Sequence, residues 1–395
     1  MEGITMAVLG IVAEYDPFHN GHFYHLGEAK RLVQPEAVLV ALSACFKQRG
    51  DLALLSPYER AACAVSAGAD AVFALPVLWT VRDAEHYALG AVSLLAGLGV
   101  THLAFGAETP DSEALSRLAD LLENPCPGFT ADLKDRLAGG IGYPAALAAA
   151  ADRILPGAGA LLSAPNNTLA VCYLRAIRRL MVPVVPVMVP RRGEYHAHRV
   201  DPEFPSASAL RAALYRGTYS AAYSAVPPES ESRLKARFLS GEVPDPAVFD
   251  AVLLSSLRAL PPEAFRDLPD AAGGLGDALC KARIAARSAR ELTGMLTSRR
   301  YPASRITRLC AHALLGVTQK QLMGLPCPSA ALLLALRKNA SLTASWRKTP
   351  VRVCPDPVAW RPEASAADLT AWRLWAQCCG LPDTLPFTEK TVAVP

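Results

Sequence analysis

Two histidines three residues apart, His19 and His22, flank a glycine, Gly21, just downstream of an apolar run. Imidazoles so spaced can both donate hydrogen bonds to charge developing on phosphoryl oxygens. Gly21 adds no side chain to keep a ligand from the backbone. Attack on the α-phosphate of a triphosphate is the chemistry this group suits. The flanking residues say how the pair would be held. Met6 to Ala13 reads as a buried parallel strand, and Asp16-Pro17 stops it and turns the chain. His19-Asn20-Gly21-His22 then opens a helix continuing through Tyr24, Leu26 and Lys30. The pair is therefore expected at a strand-to-helix turn, where free N–H groups and the helix dipole favour an anion. Taken alone, His-x-Gly-His would be two surface histidines in a loop. The strand, proline turn and helix in this order favour the catalytic reading.

The elements that must position this pair follow an α/β pattern over the first ~215 residues. Strands are expected at Ala7–Ala13, Ala37–Leu42, Ala71–Leu75, His102–Phe105 and Pro183–Val189. Helices are expected at Asn20–Leu32, Pro57–Ala67, Ala84–Gly97, Ser112–Glu123, Pro144–Ala151 and Asn167–Leu180. Ala225-Val226-Pro227-Pro228-Glu229-Ser230 reads as a linker. Beyond it helices are expected at Pro246–Leu260, Leu275–Thr297, Ser304–Leu315 and Pro328–Leu336, with another around Ala367–Cys378. The expected division is 1–222 for the α/β domain and 231–395 for a helical, basic one.

The chain has 395 residues and a net charge of only +4. Apolar content of about half describes an ordinary globular protein, and no run is long enough for a membrane span. The ten cysteines are scattered without a CxxC pair, which argues against zinc and for reduced thiols in the cytoplasm. The positive charge is uneven. Between Cys280 and Pro350 lie thirteen Lys and Arg residues, opposed only by Glu291. Such an excess is the footprint of a nucleic-acid surface.

Other strand ends carry chemistry too. Ser43–Asp51 places Lys47, Gln48 and Arg49 after the second strand, as phosphate contacts or as a solvated loop. Gly106, within Phe105–Glu108, would let the backbone approach an adenine or ribose. Asn166 could cap the helix that begins there, leaving Asn167 to bond a nucleotide. Pro190–His196 offers Arg191 or Arg192 to a phosphate. Ser206, at a helix start, and Arg211 would meet the leaving pyrophosphate.

Taken together these segments resemble the bacterial tRNA(Met) cytidine acetate ligase family of HIGH-type nucleotidyltransferases. The match runs through Glu14–His22, Ser43–Asp51, Phe105–Glu108, Ala164–Asn167, Arg192–His196, Ser206–Arg211 and Arg299–Arg308. It covers roughly residues 6 to 345. Asp16 stands where the family has Asn, and Ala107 where it has Ser. The resemblance implies a Rossmann-like nucleotidylyltransferase domain with a parallel sheet, followed by an α-helical domain. It implies ATP as substrate, with Mg²⁺, and acetate activated as acetyl-AMP. The acetyl group would pass to the wobble cytidine of elongator tRNA(Met), giving N4-acetylcytidine. His19 and His22 would be catalytic. ATP contacts would come from Ile11, Val12, Ala13, Glu14, Tyr15, Asp16, Pro17, Phe18, His19, Asn20, Gly21, His22, Phe23 and Tyr24, and from Gly106, Asn167, Arg191, Ser206 and Arg211. Arg299, Arg300, Arg305 and Arg308 would hold tRNA. The rivals are adenylyl transfer to another small acceptor and a homologue that binds nucleotide or RNA without turnover.

Overall fold

The computed structural model describes residues 6–192, 200–338, 349–361, 363–384 and 388–395. Gly193–His196, part of one expected arginine loop, lie outside the described residues, as do Arg347 and Lys348 of the basic stretch. A mixed sheet runs through the molecule in the order β5-β4-β1-β2-β3-β6-β7, with β8 beside β6. Its strands are β1 (Val8–Ala13), β2 (Ala37–Ser43), β3 (Ala71–Leu75), β4 (His102–Ala107), β5 (Val185–Pro190), β6 (Ala330–Arg337), β7 (Arg352–Cys354) and β8 (Val392–Val394). The first five pair in parallel, and β6 joins β3 antiparallel. β1 is central, with β2 on one side and β4 on the other. The order reverses there, and a crevice opens beyond the carboxyl ends of the strands.

Helices α1 (Asn20–Val33), α2 (Pro57–Ser66), α3 (Ala84–Gly97) and α4 (Pro165–Leu180) cover the sheet. β2 and β3 are buried along their whole length. Both faces are covered, so the strands are continuous apolar runs rather than alternating ones. α5 (Ala207–Tyr215) and α6 (Pro228–Ser240) follow β5. Then come α7 (Pro246–Ala259), α8 (Leu275–Ala282), α9 (Ala289–Leu296) and α10 (Ala303–Leu315), which share their own core around Leu257, Phe265, Leu279, Leu292 and Leu309.

Three expectations need correction. The segment expected as a helix at Pro328–Leu336 is strand β6. A continuous run of Ala and Leu does not distinguish a doubly buried strand from a buried helix, and the open edge of β3 decides it. The expected boundary is thereby crossed, because β6, β7 and the helix α11 (Ala366–Cys378) return to the sheet and its core. The expected linker is not one. Ala225 and Ser230 are buried, and Pro228 is the first residue of α6, where proline's missing N–H is no loss. Finally, the helix expected over Leu275–Thr297 breaks between α8 and α9, where Ser288 caps α9 by accepting from the Glu291 N–H.

Candidate active site

β1 delivers the chain into the crevice, and a buried carboxylate fixes the turn at its end. Asp16 precedes a cis proline bond. Its carboxylate accepts from the Leu54 N–H at 2.6 Å and pairs with Lys47 Nζ at 3.0 Å and Arg211 Nη1 at 3.3 Å. Arg211 also donates to the Asp16 carbonyl at 2.6 Å. Burial pushes the Asp16 pKa up. Lys47, Arg211, Arg60 and the Leu54 N–H outweigh it together and hold it at about 2. Arg60 is wholly buried. It donates to the carbonyls of Glu14, Ser43, Ala44 and Leu55, tying the end of β1 to the end of β2.

On this clamp sit the histidines. Their rings stack with centroids 3.6 Å apart. The His19 N–H donates to His22 Nδ1 at 3.3 Å. A neutral His22 accepting there carries its proton on Nε2, which is left as a donor. Both rings are kept neutral. Burial, then the charges of Arg191 and Arg211, lowers His19 to about 3. Burial, then His19, His25 and Arg191, takes His22 well below the ordinary histidine value. Gly21 leaves them room, because a Cβ there would lie 3.0 Å from the His19 ring.

The opposite wall comes from β4 and α4. Glu108, just past β4, accepts from the backbone N–H groups of Asn166 and Asn167 and from the Asn166 side chain. Glu108 thus supplies the cap expected of Asn166, a carboxylate at a helix N-terminus. Asn167 Oδ1 accepts from the Thr109 N–H at 3.1 Å, and its buried Nδ2 has no partner among the described residues. A buried amide donor without a partner is the kind of group a ligand completes.

The HIGH Nucleotidyl Transferase family model matches residues 6–349. The chain belongs to that family. The tRNA(Met) cytidine acetate ligase of Syntrophomonas wolfei subsp. wolfei is 33% identical over 324 residues, covering 80% of this chain and 78% of that protein. The enzyme of the same name from Caldanaerobacter subterraneus subsp. tengcongensis is 34% identical over 320 residues, covering 80% and 79%. The apo crystal structure of Thermotoga maritima TmcAL superposes with a TM-score of 0.92 at 25% identity, over 98% of this chain and 100% of that one. TmcAL bound with alpha-thio ATP gives 0.89 at 24% identity over the same shares.

The residues expected at the site separate into those that reach the crevice and those that hold its frame. His19 and His22 stack beside Gly21, and Arg191 lies near enough for its charge to act on both rings, whereas the Arg192 guanidinium lies over the Tyr24 ring at 4.7 Å. Ile11, Ala13, Tyr15 and Phe18 are core residues, so only their backbone is offered to a nucleotide. Phe23 is exposed, 52%, outside the stacked pair. Ser206 caps α5 by accepting from Ala209 N–H. Arg211 and Lys47 are engaged by Asp16, and Gln48 N–H donates to Glu14. Two positions were not foreseen as part of the site. His25 is lowered by burial to about 4, and its Nε2 has no partner among the described residues. Its spacing from His22, three residues, was the signal available. Glu108 lay inside a noted motif, but its partner is 58 residues away.

The basic stretch departs furthest from expectation. Arg308 is 8% exposed and its guanidinium pairs with Asp270 at 2.9 Å. Arg305 donates to the carbonyls of Asp270 and Ala272. Arg283 is buried, over the Phe265 ring and bonded to the carbonyls of Leu257 and Leu260. The missing acidic partner lay upstream of the stretch, at Asp270. Arg299 and Arg300 are exposed, and Gly142 lies against the Arg299 carbonyl, 2.5 Å from where its Cβ would be.

Proposed function

We propose that this chain activates acetate with ATP and passes the acetyl group to the wobble cytidine of elongator tRNA(Met). In the first step an acetate oxygen attacks the α-phosphorus. The bond to the bridging oxygen breaks, and pyrophosphate leaves with the electron pair. A carboxylate is already ionised at pH 7, so no protein base is needed. Negative charge grows on the phosphoryl oxygens, and the His22 Nε2–H and the N-terminus of α1 meet it. Neutral imidazoles suit this task because their donors are fixed in place before the reaction begins. In the second step the cytidine N4 lone pair attacks the acyl carbon, AMP leaves with the electrons of the acyl–oxygen bond, and N4 loses one proton.

The observation that carries the reading is the stacked, neutral His19–His22 pair at the turn between β1 and α1, close enough to Arg191 to feel its charge. Proteins named tRNA(Met) cytidine acetate ligase, a third identical to this chain, support the acceptor. Mg²⁺ is proposed as a companion of the triphosphate. It does not fit as a resident ion. Among the described residues no group of three or more His, Cys, Asp or Glu could hold one, and the nearby carboxylates of Asp16 and Glu14 are engaged. The test is acetate-dependent exchange of pyrophosphate into ATP, followed by mass spectrometry of tRNA nucleosides after reaction. Absence of exchange, or of N4-acetylcytidine in the product, overturns the assignment.

A further inference from the structure

Five Lys and Arg side chains are buried among the described residues: Lys47, Arg60, Arg82, Arg283 and Arg308. Four of them are bonded. Lys47 meets Asp16, Arg60 meets four backbone carbonyls, Arg283 the carbonyls of Leu257 and Leu260, and Arg308 meets Asp270. Arg82, on the turn between β3 and α3, is the exception. Its guanidinium lies over the Trp79 ring at 5.8 Å but makes no hydrogen bond or ion pair with a described residue, and its Nη1 is buried without a partner. Two carboxylates are close enough for their charge to act on it, Asp83 and Asp270. Both are committed elsewhere. Asp83 caps α3, accepting from the His86 N–H and meeting the His86 ring at 2.8 Å, and Asp270 pairs with Arg308. The backbone of Arg82 is fixed, its N–H donating to the Thr80 carbonyl and its carbonyl accepting from Gln48 Nε2. A buried charge without a partner is costly to keep, so a rigidly held one is a seat for an anion.

The surroundings say which anion. The charges felt at His19 are those of Arg191 and Arg211, whereas the charge of Arg82 is felt at His312 on α10. Arg82 therefore belongs to the junction between the sheet and α10 and not to the histidine crevice. His312 is 2% exposed, and its Nδ1 likewise has no partner among the described residues. The loop 270–274 lies at this junction. At its start Asp270 holds Arg308, and near its end Tyr301 donates to the Gly273 carbonyl. The exposed Arg300 stands beside the same glycine, its Nη2 being 3.2 Å from where a Cβ would lie. One short loop thus has an outward cation at one end and the buried cations at the other. We infer that Arg82 seats a backbone phosphate of the RNA, on a strand that also crosses Arg300. The inference rests on the RNA acceptor proposed above. The planar guanidinium fork matches phosphate oxygens, and Arg82 keeps 8% of its surface exposed, so it is reached from solvent. Phosphate contacts fix where a strand lies and carry no sequence information. Arg82 is accordingly a positioning residue, acting on the placement of the RNA and not on its choice of base.

The experiment measures binding of elongator tRNA(Met) across a salt series by the wild type, Arg82→Gln and Arg82→Lys. Arg82→Gln should weaken binding about tenfold and lower the log–log salt slope by about 0.7–0.9. Arg82→Lys keeps the charge without the fork and should recover the slope. The KM values for acetate and ATP, read from pyrophosphate exchange without RNA, should match the wild type in both variants. Arg82→Gln should melt at or above the wild-type temperature, because it removes an unpaired buried charge. An unchanged salt slope in Arg82→Gln, or one that Arg82→Lys fails to recover, would overturn the seat. A raised KM for acetate or ATP with RNA binding intact would also overturn it, since the anion would then be a substrate of the first step. A lowered melting temperature with the slope unchanged would make Arg82 a structural cation and overturn it too. Wild-type protein that binds no tRNA would instead overturn the proposed function.

Discussion

The β1–α1 crevice and the α7–α10 helices use charge in opposite ways. In the crevice, charged groups hold the frame so that neutral donors can stay unpaired. Asp16, Lys47, Arg211 and Arg60 satisfy one another and the backbone, while His19, His25 and Asn167 are left with donors or acceptors to offer. Among the helices the buried and half-buried cations are themselves the frame. Arg283, Arg305 and Arg308 tie carbonyls and Asp270 together, and only exposed cations such as Arg287, Arg290, Arg299 and Arg300 face outward. A buried charge is retained when partners surround it. Counting charges therefore overstates the binding surface.

The largest expected effect breaks the comparison at its catalytic end. His22→Ala should lower acetate-dependent pyrophosphate exchange on the order of 10²-fold or more, as for loss of an oxyanion donor. The fold should persist, because His22 is only half-buried. Exchange at the wild-type rate would remove His22 from the chemistry. At the other end, Arg308→Ala leaves Asp270 without its closest cation. It should destabilise the chain by about 2–3 kcal/mol, somewhat below a fully buried pair. Thermal unfolding checks this. A melt unchanged from the wild type would show that Arg308 is not structural.

Legibility in the sequence followed locality. The histidine turn was readable because strand, proline, histidines and helix fall within 26 residues, from Val8 to Val33. The five parallel strands were readable for the same reason, each being a short apolar run bounded by turn residues. What failed depended on distant partners. β6 needed the edge of β3. Arg308 needed Asp270, 38 residues upstream. The Asn166 cap was displaced by Glu108, 58 residues away. A helical period can show that Arg305 and Arg308 share a face, but not which loop packs on that face.

The two regions meet at Gly50, and a substitution there should be felt by both. Its φ of +91° is the left-handed region. A Cβ would also come within 2.7 Å of the Thr307 carbonyl on α10, beside the bond from Thr307 Oγ1 to the Arg49 carbonyl. Gly50→Ala should cost about 1–3 kcal/mol in unfolding experiments. A neutral outcome would mean that α10 can shift away from the loop. Acid should act on the crevice by a comparable or smaller amount. The unfolded chain takes up protons at His19 and His25 near the ordinary value of 6.5, but the folded chain does so only at about 3 and about 4. The stability is therefore complete above 6.5 and is lost as pH falls toward those values, about 1–2 kcal/mol per histidine by pH 5. Melting curves from pH 7 to pH 5 measure the slope. His25→Gln should flatten it, and an unchanged slope would place the titration elsewhere.

The smallest effect sharpens the comparison most. Arg299 and Arg300 are exposed and lie at the head of α10, while Arg305 and Arg308 on the same helix are committed inward. If the outward pair contacts tRNA phosphates, each lost contact removes about 0.7–0.9 from the log–log salt slope, so Arg299→Ala with Arg300→Ala should lower it by ~1.4–1.8. The variant's melt should match the wild type to within about 0.5 kcal/mol, as for surface substitutions. Replacing Arg305 and Arg308 would give the reverse, a lower melting temperature with a salt slope unchanged in whatever protein stays folded. The two double variants together separate cations that bind from cations that build. A salt slope unaltered by loss of Arg299 and Arg300 would move the RNA contacts to other exposed cations, Arg287 and Arg290 at the start of α9 being the next to test.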